Sequence, residues 1–271
     1  FLSPVEGGRV TEDGIELHVG GEHGMALTAK TVVVAAGLGS RLLPLTDELP
    51  KCMLDVQSKA MLHRALSTFT DLGISKSVVI GGYKSDKLIL PDESTLVLNH
   101  EYASNNILHS LACARAEMAG VETALISYSD IVFRNNVVER LLAAGSKDIS
   151  IVVDQSWAER YNGRLMHPLP EAEAAQFDDQ GRLVKIGKGL LNEKQDARYW
   201  GEFIGMLRFT ARGQELLWTV FDSVQDNLSP ESPFQMATHW RQAYVTDLLQ
   251  EMVDRGMDVH CTLIQGGWLE I

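Results

Sequence analysis

Residues Thr31-Val-Val-Val-Ala-Ala36 form an uninterrupted apolar run halted by Gly37. A strand with one wet face alternates apolar and polar residues, so a run without alternation implies burial on both faces, as in a parallel sheet covered by helices. The next segments fit that arrangement. Ala60 to Leu72 places Met61, Leu62, Ala65, Leu66, Phe69 and Leu72 at helical spacing, closed by Gly73. Ser77-Val-Val-Ile80 and Thr95-Leu-Val-Leu98 read as second and third buried strands, and Ser104 as the cap of a helix reaching about Met118. Thr123-Ala-Leu-Ile126 is a strand with a polar tip, Ser127-Tyr-Ser-Asp130, followed by a helix near Asn136 to Ala144 and a strand Ile149-Ser-Ile-Val-Val153. Further on, the pattern predicts turns at Asp178 to Gly181 and Gly187 to Gly189 and a strand at Phe203 to Phe209. Helices over about 211–224 and 239–255 and a last strand near Val259 to Ile264 complete it. The expected class is α/β, with a Rossmann-like doubly wound sheet whose ligands sit beyond the C-terminal ends of its strands. Residues 1–30 differ: glycine-rich turns flank the alternating Ile15-Glu-Leu-His-Val19, predicting a β-hairpin appendage or the tail of a preceding domain, with 31–271 as the main domain. The start at Phe1 reads as part of a longer polypeptide.

Charge narrows the partners. Asp and Glu number 36 against 24 Lys and Arg, a formal net charge of −12, which argues against a general nucleic-acid or anionic-membrane binder. An anionic ligand would need a local basic pocket. The longest apolar runs fall well short of the roughly 18 residues a membrane span requires. Cys52, Cys113 and Cys261 are too scattered for a disulfide framework or a zinc site, and the eight histidines show no metal spacing, so a reducing cytoplasm is expected.

The stretch most informative about chemistry directly follows the first strand. In Ala35-Ala-Gly-Leu-Gly-Ser40, Gly37 and Gly39 let the backbone approach a phosphate chain and aim N–H groups at it, while Arg41 and Lys51 add cationic donors. A dinucleotide fold would want a third glycine where Leu42 stands, and the Walker pattern is absent. The order Gly37, Gly39, Arg41, Pro50-Lys51 instead resembles the signature of nucleotidyltransferases, which join a nucleoside triphosphate to a phosphorylated acceptor and release pyrophosphate. The resemblance covers nearly all of 31–271. Gly81-Gly-Tyr83, Asn99 to Ser110 and Gly266-Gly-Trp-Leu-Glu-Ile271 are similar to the branch of phosphocholine and phosphonate cytidylyltransferases. Ser127 to Ile131, Val153 to Trp157 with Tyr161 and Arg164, and Gly201 to Gly205 resemble the phosphonate members more closely.

That resemblance implies a GT-A-like nucleotidyltransferase sheet, mixed but mainly parallel, and a Mg²⁺-dependent transfer of CMP from CTP to a small phosphonate such as 2-aminoethylphosphonate. Phosphocholine or a sugar 1-phosphate is the alternative acceptor, and a catalytically silent nucleotide-binding module of a fused protein the alternative of another class. It assigns Arg41 and Lys51 to catalysis and the backbone of Ala35, Ala36, Gly37, Leu38, Gly39 and Ser40 to nucleotide. Gly82, Tyr83, Asn105, Asn106 and Ser110 would line the base and ribose pocket, although the two asparagines can equally cap the adjacent helix. Asp130, a hard carboxylate at a strand tip, is the expected Mg²⁺ ligand. The second ligand is expected just beyond Ile271, with Glu270 on the same strand face. For the acceptor, Arg164, Lys185 and Lys188 are candidates for its phosphonate, with solvated surface cations as the bland reading, and Glu202 and Asp154 for an ammonium. Tyr199, Trp200, Trp218, Trp240 and Tyr244 are an alternative cation box, and Asp247 either starts a helix or meets acceptor.

Overall fold

A computed structural model of the chain describes residues 8–11, 14–17, 28–161, 168–191, 195–196 and 198–271. At the start, β1 (Gly8–Thr11) and β2 (Gly14–Leu17) pair antiparallel as a separate two-stranded sheet. The apolar run becomes β3 (Ala29–Ala35). Val32 and Val34 pack into one core cluster while Val33 and Ala35 enter another, so the strand is buried on both faces, as the missing alternation implies.

A short hairpin, β4 (Asp55–Val56) and β5 (Lys59–Ala60), leads into α1 (Met61–Asp71). β6 (Ser77–Gly81) pairs parallel with β3, and β7 (Ser94–Leu98) parallel with β6. β7 departs from its expected burial: it is an edge strand with Leu96 and Leu98 about 40% exposed. The helix expected from Ser104 starts later and breaks, giving α2 (Ile107–Cys113) and α3 (Arg115–Met118). Asn106 is its cap, its side-chain oxygen accepting the Ile107 N–H at 2.9 Å, while the Ser104 hydroxyl donates to the Glu101 carbonyl.

β8 (Thr123–Tyr128) lies on the other side of β3, parallel to it. β9 (Ile131–Phe133), α4 (Asn135–Leu142), β10 (Ile149–Asp154) and the short α5 (Trp157–Arg160) follow. β11 (Glu173–Phe177) and β12 (Leu183–Lys188) form an antiparallel hairpin that periodicity missed, since Glu-Ala-Ala-Gln carries no β-branched residue. Its turn at Asp178 to Gly181 stands where expected, closed by the Asp178 carboxylate on the N–H groups of Gln180 and Arg182. The second expected turn begins two residues late, because Gly187 and Lys188 still belong to β12.

β13 (Trp200–Thr210) organises the second half. Its beginning pairs with β11 and its end with β8, both antiparallel, and it bends at Gly205, whose φ is 79°. β10 runs beside β13 with a bulge between Ile151 and Val153, opposite that bend. α6 (Ala211–Asn227) and α7 (Val245–Asp254) precede β14 (His260–Ile264), parallel to β10, and β15 (Trp268–Glu270), antiparallel to β9. The helix expected from His239 thus begins at Val245, where the Asp247 carboxylate reaches back to the Tyr244 N–H at 2.7 Å. The main sheet is mixed, in the order β12-β11-β13-β8-β3-β6-β7 with β10 and β14 branching from β13. Residues of α2, α6 and α7 fill the core on one face, and α1 and α4 contribute to clusters on the other. Among the described residues, no helix is long and apolar enough to cross a membrane.

Candidate active site

A cleft of about 450 Å³ opens where β3, β8 and the bend of β13 meet, at the strand-end position where α/β sheets place ligands. Its floor is the loop after β3. Gly39 has φ of 61°, and a Cβ there would stand 3.0 Å from Lys51 Cβ and 3.1 Å from Thr46 Cγ2, so both backbone conformation and close approach demand glycine. A Cβ at Gly37 would meet no protein atom within 4 Å. The loop is braced from behind: the Thr46 hydroxyl donates to the Gly39 carbonyl at 3.0 Å, and the Tyr83 hydroxyl to the Thr46 carbonyl at 2.9 Å. The Tyr83 N–H donates to the Ala36 carbonyl at 3.3 Å, and a Cβ on Gly82 would lie 2.8 Å from that same oxygen. Gly82 and Tyr83, expected to line the base and ribose pocket, brace the loop from behind, and Gly82 packs against Tyr102, which lines the cleft.

Ala35 to Leu42, with Arg41, line the cleft, as does Lys51. The buried neighbours Cys52 and Met53 anchor the turn that presents Lys51, whose Nζ donates to Asp130 Oδ2 at 3.0 Å. Burial pushes the Cys52 thiol up to about 12, so the sulfur beside Lys51 stays protonated and offers no thiolate nucleophile. Arg41 spans the cleft mouth to Glu171 at 3.1 Å. The nucleotide side is completed by Asn105, Asn106, Ser110 and Tyr102. Buried Asn99 ties this wall together, donating to Asn105 Oδ1 at 2.8 Å and to the Ser110 hydroxyl at 2.9 Å. The two readings of the asparagines divide accordingly: Asn106 is the cap of α2, Asn105 is fastened to Asn99, and both reach the cleft.

Asp130 follows β8 and lines the cleft together with Glu270. The pairing of β15 with β9 brings them together, matching Glu270 with Ile131, and the Ile271 N–H donates to the Asp130 carbonyl at 3.0 Å. Among the described residues, no three His, Cys, Asp or Glu side chains stand close enough together to hold a metal ion. Mg²⁺ needs no such group: it commonly takes one or two carboxylates and fills its remaining positions with water and substrate phosphate. The donor set fits that ion.

The expected acceptor residues separate. Lys188 and Glu202 line the cleft; Lys185 does not, and an odd spacing of three along β12 puts it on the opposite face, exposed. Arg164 lies outside the described residues. Trp218 and Trp240 are core residues, Trp240 stacking edge-on against His109 and Phe234, and only Tyr244 of the proposed aromatic box lines the cleft. Asp247 caps α7 as described, and its other oxygen accepts the Met236 N–H at 3.1 Å.

Asp154 is corrected most fully. It is fully buried and outside the cleft, with Oδ1 accepting from the Ser156 N–H, the Ser156 hydroxyl and the Gly266 N–H, and Oδ2 from Trp268 Nε1 at 2.8 Å. Burial alone would raise its pKa, but these donors more than offset that and hold the carboxyl below its ordinary value. Asp154 thereby pins the turn that carries β15 and Glu270 to the cleft. Asp154→Asn turns one acceptor into a donor facing an indole N–H, and the expected cost is about 2 kcal/mol. Thermal unfolding should show a Tm lower by roughly 4–8 °C; an unchanged Tm would remove this clamp from the account.

Tyr128, Phe203 and Glu173 also line the cleft; the first two fall in segments that carry the resemblance, whereas Glu173 carried no sequence signal. Thr246 donates to Glu173 Oε1 at 3.1 Å, and burial, only partly countered by Lys188, pushes the Glu173 carboxyl up to about 7. Tyr128 sits at the strand end and Phe203 beside the bend at Gly205.

Comparison with known proteins bears on this geometry. The profile of the family described as the MobA-like NTP transferase domain matches residues 31–198. A CTP:phosphoglutamine cytidylyltransferase of Campylobacter jejuni is 27% identical, over 89% of this chain and 94% of its own length. A 2-aminoethylphosphonate cytidylyltransferase of Lancefieldella rimae is 26% identical over 58% of this chain and 60% of its own. Among solved structures, the CTP:phosphocholine cytidylyltransferase of Streptococcus pneumoniae superposes with a TM-score of 0.65, covering 90% of this chain and 94% of that one; at 19% identity the likeness is one of fold.

Proposed function

This chain belongs to the MobA-like NTP transferase domain family, and from that membership and the chemistry of its cleft we propose that it transfers CMP from CTP to a small phosphonate, releasing pyrophosphate. The observation that carries the reading is the pairing of two loop-borne cations with opposing carboxylates. Arg41 and Lys51 flank a glycine loop on one wall, and Asp130 meets Lys51 at 3.0 Å from the other. A triphosphate entering between them exchanges protein counter-ions for phosphate oxygens. Phosphoglutamine and 2-aminoethylphosphonate, named for the relatives above, share an anionic phosphorus group and a small organic body, which favours a compact acceptor.

The acceptor's oxygen attacks the α-phosphorus of CTP; the bond from that phosphorus to the bridging oxygen of the β-phosphate breaks, and pyrophosphate leaves with the electron pair. The attacking oxygen is largely ionised at neutral pH, so no general base is required. What the chain supplies is alignment and charge. Backbone N–H groups of the loop Ala36 to Ser40 hold the phosphates, Arg41 and Lys51 stabilise charge building on the departing pyrophosphate, and Lys188 holds the acceptor's anionic end. Asp130 and Glu270 would hold Mg²⁺, which when bound neutralises phosphate charge and activates the phosphorus.

The test is pyrophosphate release from CTP with Mg²⁺, comparing 2-aminoethylphosphonate, phosphocholine and a sugar 1-phosphate. The phosphonate should give the highest kcat/KM. A preference for phosphocholine or the sugar phosphate would reassign the acceptor, and CTP binding without release from any of them would favour a silent nucleotide-binding module.

A further inference from the structure

We infer that Glu173 determines acceptor specificity by recognising a cationic group, so that the acceptor is zwitterionic, its phosphorus oxygens toward Lys188 and its ammonium toward Glu173. The inference rests on the transfer reading and extends it to a residue that periodicity and motif leave unmarked.

Charge in the cleft is distributed unevenly. Among the described residues, Asp130, Glu171, Glu173, Glu202 and Glu270 line it against Arg41, Lys51 and Lys188. Asp130 is engaged by Lys51 and Glu171 by Arg41, both on the nucleotide side. On the acceptor side, Glu173 has Lys188 as its neighbouring cation. Register places Glu173 directly opposite Lys188 on the β11–β12 hairpin, and the Lys188 ammonium lies 4.3 Å from the centre of the Tyr244 ring.

The surroundings hold Glu173 ready for a second cation. Thr246 fixes one oxygen at 3.1 Å, and the buried Tyr128 hydroxyl faces the carboxylate. Tyr128 fits there because Gly205 leaves room, as a Cβ at that position would collide with its ring. A carboxylate withdrawn from water loses solvation that an incoming ammonium restores, and the rings of Tyr128, Phe203 and Tyr244 add cation–π attraction. The hydroxyls of a sugar phosphate would leave that charge uncompensated. Tyr161 donates to Glu202, which lies beyond Gly201 on β13 and adds negative potential to the same side.

The experiment compares 2-aminoethylphosphonate with its amine-free analogue, ethylphosphonate, in wild-type protein and Glu173→Gln. Glutamine retains the shape and the acceptor for Thr246. Wild type should favour the amine by about 10- to 100-fold in kcat/KM, and the variant should lose most of that preference through a higher acceptor KM, with the KM for CTP and the ethylphosphonate rate unchanged. A structural role alone would lower both acceptors alike, which would overturn the proposal. Equal use of both acceptors by wild type would also overturn it while leaving cytidylyl transfer in place. Should neither acceptor release pyrophosphate, transfer to a phosphonate fails; calorimetric titration of the same pair into CTP-loaded protein then decides, and equal or undetectable binding sinks the role of Glu173.

Discussion

Replacing Lys51 with alanine should lower kcat by about 10²- to 10³-fold, the size of effect seen when a single preorganised charge donor is removed from a transition state. Lys51 is suited to that role because its backbone is anchored by buried Cys52 and Met53 while its ammonium reaches across the cleft. Loop geometry ties it to the phosphate cradle, since Gly39 packs directly against its Cβ. The fold should survive: the ion pair with Asp130 is partly solvated, with side chains 18% and 30% exposed, so stability should change by less than about 1 kcal/mol. The KM for CTP should rise less than kcat falls, because leaving-group charge is greatest in the transition state. Single-turnover kinetics beside thermal unfolding checks both halves. Turnover within tenfold of wild type would remove Lys51 from the chemistry.

Asp130→Asn should raise the Mg²⁺ concentration for half-maximal rate at least about tenfold and depress the saturated rate by about 10²-fold, since an amide is a poor substitute for a carboxylate on a hard dication. It would also leave Lys51 without its counter-charge. The two variants therefore differ in a measurable way: Lys51→Ala leaves the carboxylate proposed to hold the metal intact, whereas Asp130→Asn removes it. Mn²⁺ binding in the presence of CTP, followed by electron paramagnetic resonance, reads the metal directly and independently of turnover. Binding as tight as wild type would assign the ion to other residues.

Local sequence carries information about backbone class and close-range chemistry. The apolar run Thr31 to Ala36 shows that β3 is covered on both faces, because a non-alternating strand has no wet side. Gly37, Gly39, Arg41 and Lys51 are legible as a cradle since they belong to one loop, where spacing in the chain is nearly spacing in space. Asp130 is likewise legible, since it stands just past the tip of β8. Where neighbours in space are distant in sequence, local pattern was silent or misleading. Asp154 carries the same charge whether it meets an acceptor or clamps Gly266 and Trp268, and only the return of β14 beside β10 distinguishes these roles. Lys185 and Lys188 look alike as a pair of basic residues until the β11–β12 pairing sends them to opposite faces. Glu173 has no motif at all; its raised pKa arises from burial and its place opposite Lys188 from the β11–β12 pairing. The sequence by itself determined the layered α/β class and the glycine loop after β3, because those depend on periodicity and on one continuous segment. Only the tertiary structure decided which carboxylates face the cleft, since burial and charge at a site are set by chain segments that meet from far apart.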